Sequence, residues 1–281
     1  MNDNSQLLRI NSLSRYFGGV KAVHEVTLDV VEGTIHGLIG PNGSGKTTLF
    51  NCLTGVCKPT AGTVFFNKQR IDGNASHVIC GFGIARTFQN LRLFGGMTLL
   101  ENVLVGRHLH LRVGLVGAVL NRGTARSEQC RAVERARELL DFCGLGGREN
   151  DIASSLPYGL QRRLEVARAL ATDPRLLLLD EPAAGMNPAE SDALKALVRR
   201  IRENGVTVFL IEHNVRLVMG VCERVSVMES GRLIADDTPE KVAGNPLVIE
   251  AYLGKDEDNP GGKQQKVPFS TGFKSAPSIP Y

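Results

Sequence analysis

A glycine-rich run at residues 40–48, with the sequence GPNGSGKTT, is the part of the chain whose spacing points most directly to chemistry. It fits the pattern G-x-x-x-x-G-K-[ST], in which glycines let the backbone curl until its N–H groups face an anion. Residues 34–39 precede it as a predicted buried strand, and a helical pattern opens at Thr47, so a helix N-terminus adds a favourable field. The run therefore predicts the phosphate-binding loop of a nucleotide hydrolase, rather than a glycine-rich turn that happens to precede a helix.

Two side chains of this loop have expected roles of their own. Lys46 is expected to reach the β- and γ-phosphates, and the Thr47 hydroxyl is expected to bind Mg²⁺. The complete predicted cofactor-binding run is Gly40, Pro41, Asn42, Gly43, Ser44, Gly45, Lys46, Thr47 and Thr48.

A second candidate for catalysis is the segment 176–181, four leucines followed by Asp180 and Glu181. Strands of this kind bring side chains from their carboxyl ends to the ligand crevice of an open α/β sheet. We expect Asp180 to hold Mg²⁺, directly or through water, and Glu181 to orient and deprotonate the attacking water. A later apolar strand, 206–211, ends at Glu212 and His213, and His213 is a candidate contact for the γ-phosphate or the water. Alone, such a histidine is more often a surface or capping residue.

These side chains need an α/β scaffold, and the hydrophobic pattern predicts one. Residues 7–35 alternate as antiparallel strands do, residues 63–66 read as another strand, the periodicity turns helical from about 99 to 145, and strands and helices alternate again to 227. Asn187 with Glu190 predicts a capped helix start, and Thr238-Pro239-Glu240 predicts a second one on the same logic. Residues 255–281, rich in Pro, Gly, Lys and Ser, predict a disordered tail.

Composition narrows the functional class. The net charge of +4 is modest and the basic residues are scattered, which argues against a nucleic-acid partner. No stretch approaches the ~20 apolar residues that span a bilayer, and the first ten residues lack a signal-peptide pattern. The six cysteines form no C-x-x-C pair, which predicts reduced thiols packed in the core, in a cytosolic protein.

Taken in order, these motifs resemble those of ATP-binding cassette (ABC) ATPase subunits over roughly residues 7–253. The resemblance implies ATP and Mg²⁺ as cofactors, and head-to-tail dimers in which each ATP lies between one P-loop and the other subunit's signature helix. It implies that Phe17 stacks on adenine, with core packing as the alternative, and that Gln89 senses Mg²⁺ and joins the core to a helical insert. The matching signature positions are Pro157, Tyr158 and Gly159.

The implied fold is a P-loop α/β core with an antiparallel β-subdomain and an inserted helical subdomain. Residues 1–95 would form the first part of the core, 96–158 the helical subdomain, 159–254 the rest of the core and 255–281 the tail. Residues 86–94, 158–165, 180–185 and 245–254 are similar to branched-chain amino acid importer ATPases, as is the glycine-rich insert around 111–123. The apolar part of this insert, 112–120, is a candidate buried turn or docking surface.

The chain departs from the family pattern at residues that would contact the ATP bound to the partner subunit. The general signature LSGGQ is LPYGL here, so Pro157 lacks the hydroxyl that would bond the γ-phosphate, although Pro is well tolerated in a first helical turn. Leu160 replaces a glutamine, and Asn187 stands where the family often has an aspartate. The departures imply a heterodimer with unequal ATP sites, while a homodimer stays possible.

The leading hypothesis is therefore an ATP-driven importer subunit on the cytoplasmic face of the inner membrane, bound to transmembrane permeases and served indirectly by a solute-binding protein. Subunits for urea or amide uptake and for lipid export stay open as alternatives. So do a soluble ABC-type ATPase serving a non-membrane assembly, such as iron–sulfur scaffold loading, and a nucleotide-binding regulator without turnover. Glu181, the expected base, argues against the regulator.

Overall fold

The strands that flank the glycine-rich run belong to two different sheets. The computed structural model describes residues 6–110 and 122–253. One sheet is antiparallel, has the order β2–β1–β4–β5, and consists of β1 (Gln6–Phe17), β2 (Val20–Val31), β4 (Ala61–Phe66) and β5 (Gln69–Arg70). The predicted antiparallel pairing within residues 7–35 is confirmed, because β1 pairs with β2 along their length.

The second sheet carries the loops that were predicted to do chemistry. Its order is β10–β9–β3–β8–β7–β6, and only the edge strand β10 is antiparallel to its neighbour. Its strands are β3 (Ile35–Ile39), β6 (Ile84–Arg86), β7 (Leu176–Asp180), β8 (Thr207–Ile211), β9 (Arg224–Glu229) and β10 (Arg232–Asp237). The predicted α/β class with an antiparallel β-subdomain is confirmed.

Every residue of β3, β7 and β8 is buried, as expected of parallel strands covered on both faces. The leucines of β7 show how the covering works. Leu176 and Leu178 pack into the core shared with the antiparallel sheet, whereas Leu177 and Leu179 pack into the core beneath the helices on the other face. Because successive side chains alternate, one apolar run serves both cores.

Helices connect and cover these strands. They are α1 (Lys46–Leu53), α2 (Ser76–Gly81), α3 (Leu99–Arg107), α4 (Arg122–Phe142), α5 (Tyr158–Leu170), α6 (Pro188–Glu203), α7 (Val215–Val221), α8 (Pro239–Ala243) and α9 (Pro246–Leu253). Helix α3 contacts both α4 and α5. It approaches α5 closely because Gly106 has no side chain: a Cβ there would stand 2.3 Å from the Arg168 carbonyl oxygen.

The two predicted helix starts differ. Asn187 caps α6, accepting from the Glu190 N–H while the Glu190 side chain returns a bond to the Asn187 N–H, so this prediction is confirmed. At α8 the prediction is wrong for the cap: Pro239 takes the first turn, but the Thr238 side chain makes no capping bond. Glu240 stands two residues after Thr238, one short of the spacing that lets a side chain reach back.

Three of the six cysteines, Cys52, Cys143 and Cys222, are buried free thiols. The prediction of core packing is wrong for Cys130, which is exposed on α4.

In residues 6–110 and 122–253, no helix is long and apolar enough to cross a bilayer. The insert 112–120 and the tail 255–281 lie outside the described residues, and the domain boundaries at 95, 158 and 254 stay predictions.

A buried histidine ties the centre of the parallel sheet to its edge. His36 on β3 lies with its Nε2 2.7 Å from Ser226 Oγ, and that hydroxyl donates to Asp236 Oδ1 at 2.9 Å. Burial lowers the pKa of His36 to about 4, a shift opposed by nearby Asp236 and reinforced by Arg224. His36 is therefore neutral in the folded chain at neutral pH.

This lowered pKa predicts a loss of stability in mild acid. The unfolded chain protonates His36 near pH 6.5 while the folded chain resists until about pH 4, so the unfolded state gains protons across this window. We expect the free energy of unfolding to fall by about 3 kcal/mol from this group between pH 6.5 and pH 4. The free energy of unfolding of His36→Gln, measured in urea at several pH values, should change less steeply with pH than that of wild type. His77→Gln, at an exposed site, should keep the wild-type slope; equal slopes in all three proteins would contradict the assignment.

Candidate functional site

The glycine-rich run forms a loop between β3 and α1, and its backbone geometry explains its glycines. Gly45, at the N-terminus of α1, has a φ of 103°, in the left-handed region. A Cβ at Gly45 would stand 2.2 Å from the Ala22 carbonyl oxygen on β2. The antiparallel sheet therefore touches the loop directly, and only glycine can occupy the point of contact.

Lys46 begins α1, and its side chain folds back across the loop. Its Nζ donates to the Gly40 and Pro41 carbonyl oxygens at 2.8 and 2.9 Å, and it lies 3.4 Å from Ser44 Oγ. These contacts hold a buried ammonium at the mouth of a concave loop of backbone N–H groups. Such an arrangement provides a cation and amide donors for a phosphate group.

The loop opens into a cleft of about 690 Å³. The lining brings together residues that are far apart in sequence: residues 42–48 of the loop, Gln89, Glu181, His213, the strand segment Val20–Ala22 and the pair Ser230–Gly231. The predicted site residues 42–48, Gln89, Glu181 and His213 thus share one cavity, whereas Gly40, Pro41 and Asp180 do not line it. A volume of this size accommodates a nucleotide.

Phe17 is the last residue of β1. It lies three residues before Val20, which begins β2 and lines the cleft. It is 48% exposed, and the Arg15 guanidinium lies 4.4 Å from its ring centroid. The exposure excludes the core-packing alternative. A half-exposed aromatic ring beside the cleft is suited to stacking on a planar base, so the adenine role stays a prediction with a compatible position.

Asp180 ends β7 and has two carboxylate oxygens in different situations. Its Oδ2 accepts from Arg86 Nη2 at 2.7 Å, and both side chains are buried. Its Oδ1 is buried and has no hydrogen-bond partner among the described residues. A buried carboxylate oxygen left without a donor is suited to a cation, so the site fits Mg²⁺.

Metal binding here would depend on the nucleotide as well as on the protein. Among the described residues, no group of three or more His, Cys, Asp or Glu side chains is placed to hold a metal ion. The predicted ligands Thr47, Gln89 and Asp180 supply one hydroxyl, one amide and one carboxylate. Mg²⁺ is commonly bound in this way, through one carboxylate, substrate phosphates and water.

Glu181 is the point on which the cleft's polar side chains converge. Its Oε2 accepts from Gln89 Nε2 at 2.7 Å and lies 2.6 Å from His213 Nε2. Its backbone has a φ of 49°, which a non-glycine residue rarely adopts, while its N–H donates to the Ile211 carbonyl oxygen at 2.9 Å. The sheet thus holds a strained residue so that its carboxylate faces the phosphate-binding loop.

Two residues of this site were missed by reasoning from the sequence. Arg86 ends β6, and besides Asp180 it donates to Asn51 Oδ1 on α1 at 2.7 Å and to Oγ1 of Thr54, the C-cap of α1, at 3.1 Å. Glu212 is buried after β8 and accepts from the Ala183 N–H at 2.7 Å; burial raises the pKa of its carboxyl, an effect opposed by that bond. A charged residue at the end of a buried strand was the available signal for both.

The predicted signature residues lie elsewhere. Pro157 is the N-cap of α5, Tyr158 is its first residue, and Gly159 packs so closely on Glu190 that a Cβ would stand 2.6 Å from its Oε1. None of the three lines the cleft of this chain's own phosphate-binding loop. Within one chain the structure therefore does not bring them to the nucleotide site, and their role as ATP contacts for a second subunit stays a prediction.

Comparison with known proteins agrees with this arrangement. Residues 23–184 match the family model described as ABC transporter, and residues 232–258 match the one described as branched-chain amino acid ATP-binding cassette transporter. The chain is 46% identical over 250 residues to the high-affinity branched-chain amino acid transport ATP-binding protein LivG of Escherichia coli (strain K12), which covers 89% of this chain and 98% of LivG. Identity and coverage are the same for BraF of Pseudomonas aeruginosa.

A solved structure provides the matching fold. The ADP conformation of MJ1267, an ATP-binding cassette of an ABC transporter, superposes with a TM-score of 0.78 at 32% sequence identity, covering 89% of this chain and 99% of that chain. The covered share of this chain equals that for LivG and BraF.

The buried Arg86–Asp180 pair predicts a large loss of stability when it is broken. Arg86→Gln leaves the Asp180 carboxylate buried beside a neutral side chain, and we expect a loss of about 3–5 kcal/mol in the free energy of unfolding, measured in urea. The matched control is Arg70→Gln, which breaks the 2.9 Å pair with Asp72 at a 61% exposed side chain. There we expect a much smaller loss, because solvent screens an exposed pair. Similar losses in the two variants would contradict the role assigned to the buried pair.

Proposed function

This chain belongs to the ATP-binding cassette transporter family, and from that premise we propose that it is the ATP-hydrolysing subunit of an importer for branched-chain amino acids. The observation that carries hydrolysis is the convergence of Gln89 and His213 on the Glu181 carboxylate in the cleft of the phosphate-binding loop. The solute class rests on the names of the relatives and on the matched segment 232–258.

The loop binds the phosphates of ATP. Backbone N–H groups of residues 42–48 and the Lys46 ammonium face them, and the Lys46 contacts to the Gly40 and Pro41 carbonyls are exchanged for phosphate oxygens. Thr47, Gln89 and Asp180 would hold Mg²⁺, which would neutralise charge that develops on the phosphates. Phe17 stacks on adenine at the exposed rim.

Glu181 is the general base. Its carboxylate is oriented from two sides, by the Gln89 amide and the His213 ring, and it takes a proton from the attacking water. His213 also faces the cleft, where it can donate to the γ-phosphate. Glu212, directly before His213, holds the Ala183 N–H and so fixes the turn that follows the base.

A membrane permease is the partner to which the ATPase passes the conformational change that ATP binding and hydrolysis drive. A groove of about 420 Å³ lies beside the loop that carries Gln89, and its lining includes Phe88, Arg92, Phe94, Val105 and Arg168. Phe94 and Val105 are exposed, and the two arginines stack on the rings of Phe88 and Phe94. A short cytoplasmic helix of the permease with an apolar face and an acidic end fits this groove. The chain would then act peripherally at the cytoplasmic face of the inner membrane.

A second ATPase subunit completes each nucleotide site. Pro157, Tyr158 and Gly159 lie outside this chain's own cleft, as expected if they contact ATP bound to another subunit. Pro157 has no hydroxyl for that contact, and the Leu160 side chain is apolar. We therefore propose a heterodimer in which the site built on Lys46 and Glu181 is the faster one, and a solute-binding protein acts indirectly through the permeases.

Removing the base tests the hydrolytic role. Glu181→Gln should lower kcat for ATP hydrolysis by about 10²-fold or more, because the amide cannot accept the proton. ATP affinity, measured with a fluorescent analogue, should stay within about twofold because the residue does not bind the phosphates. Glu203→Gln, at an exposed position on α6, is the control and should leave the rate unchanged. An unaltered rate in Glu181→Gln would remove Glu181 from the mechanism.

Isolation of the native complex tests the transport role. We expect this chain, purified from detergent-solubilised membranes, to carry two permease subunits and a distinct second ATPase. Its ATP turnover should rise when a receptor loaded with a branched-chain amino acid is added, because receptor docking closes the ATPase dimer. Stimulation by a urea or amide receptor alone would replace branched-chain amino acids as the assigned solute. A soluble complex without permeases would retain the ATPase assignment and overturn transport.

A further inference from the structure

A buried ion pair on α5 lies between the signature segment and the catalytic cleft. Arg162 Nη1 is 3.1 Å from Glu165 Oε2, one helical turn apart, and both side chains are almost fully buried. Burying such a pair is favourable only when the remaining donors and acceptors are also bonded. What those remaining atoms contact therefore indicates what the pair is for.

The remaining atoms hold the backbone of the loop that carries Gln89. Arg162 Nη1 donates to the Phe88 carbonyl oxygen at 2.7 Å, and Arg162 Nη2 donates to the Gln89 carbonyl oxygen. Glu165 Oε1 accepts from the Phe88 N–H at 3.2 Å. This loop lies beyond the end of β6, outside regular secondary structure, so the ion pair supplies hydrogen bonds that a sheet would otherwise give.

The same guanidinium also holds the first residue of α5. Arg162 Nε and Nη2 donate to the Tyr158 hydroxyl at 3.0 and 2.7 Å, and the guanidinium carbon lies 5.2 Å from the ring centroid. Tyr158 is 41% exposed. We call Tyr158, Arg162 and Glu165 together the α5 clamp. One end of the clamp is open to whatever covers the start of α5, and the other end is fixed to the loop.

From the loop the contacts continue to the base. Gln89, whose carbonyl is held by Arg162, donates through its side chain to Glu181 at 2.7 Å. We propose that the α5 clamp couples the two nucleotide sites of the dimer: contact of a second subunit's nucleotide with Tyr158 is passed by Arg162 to Gln89 and sets the position of Glu181. Arg162 is a positioning residue, because it acts through Gln89. The proposal rests on the proposed function for its second subunit.

The coupling depends on a single guanidinium that donates hydrogen bonds to several groups. Arg162 has five N–H donors in a rigid fork, and it bonds two parts of the molecule: the Tyr158 hydroxyl at the start of α5, and the Phe88 and Gln89 carbonyls in the loop. A shift of the Tyr158 hydroxyl therefore changes the direction of the bonds to the loop. Since a general base needs hydrogen-bond geometry to the reacting water, a small displacement of Gln89 alters kcat more than ATP affinity.

A double-mutant cycle in the native complex tests the path. Tyr158→Phe removes only the hydroxyl, and we expect kcat to fall about tenfold, with the KM for ATP within about twofold of wild type. In a Gln89→Ala background the same change should have no further effect, because the path is already cut. Multiplicative losses in the double variant, or a rise in KM without a change in kcat, would overturn the proposal.

Hydrogen exchange of the full-length chain gives a readout that needs no ATPase activity. Arg162→Lys keeps the charge but loses the fork, and Glu165→Gln weakens the acceptor for Phe88, so both should increase amide exchange at residues 87–89 at least tenfold. Arg163→Gln, the next arginine on α5, is the control and should leave that exchange unchanged. Unaltered exchange in both clamp variants would overturn the clamp even if transport is confirmed. If the clamp variants exchange faster but the unmutated chain has no ATPase activity, the clamp is supported and the proposed function is overturned.

Discussion

The orientation of the Glu181 carboxylate depends on where β7 and β8 end. Glu181 follows β7, and its N–H donates to the carbonyl oxygen of Ile211, the last residue of β8. His213 follows β8 and returns a contact to the same carboxylate. Because the two strands are parallel and adjacent, their carboxyl ends place both residues at one edge of the sheet. The phosphate-binding loop, after β3, opens at that edge as well. The buried, fully paired sheet is therefore what lets a strained backbone at Glu181 persist.

Local motifs made much of this site predictable from the sequence. The loop at residues 40–48 carries its own geometry, since its glycines, its lysine and the following helix are contiguous. Asp180 and Glu181 could be placed because an apolar run of four leucines that ends in acids has few other uses in an α/β protein. The cap at Asn187 was predictable for the same reason, as its partner Glu190 lies three residues away.

Interactions between distant segments were not predictable in this way. Arg86 and Asp180 are separated by 94 residues, and Phe88 and Glu165 by 77. No local pattern indicates that a particular arginine will meet a particular carboxylate, because the choice depends on strand order, and β6 could have paired elsewhere. The sequence also did not distinguish Cys130 from the buried cysteines, since an amphipathic helix tolerates a thiol on either face. The family resemblance added Gln89, whose role no single glutamine would suggest.

Four carboxylates are buried among the described residues, Glu165, Asp180, Glu181 and Glu212, and all lie around the carboxyl edge of the sheet or the adjoining loop. Their partners separate them into two kinds. Asp180 and Glu165 each face a buried guanidinium, whereas Glu181 and Glu212 are held by an amide, an imidazole and backbone N–H groups. The charges of the first pair are compensated within the fold, so these two carboxylates act as fixed anchors. The second pair lacks a full compensating charge. Burial raises the pKa of Glu212, as it does that of Glu165, and at Glu212 repulsion from Glu181 adds to the effect. A cation bound at Asp180 would relieve that repulsion, so nucleotide with Mg²⁺ should stabilise the fold as well as react in it.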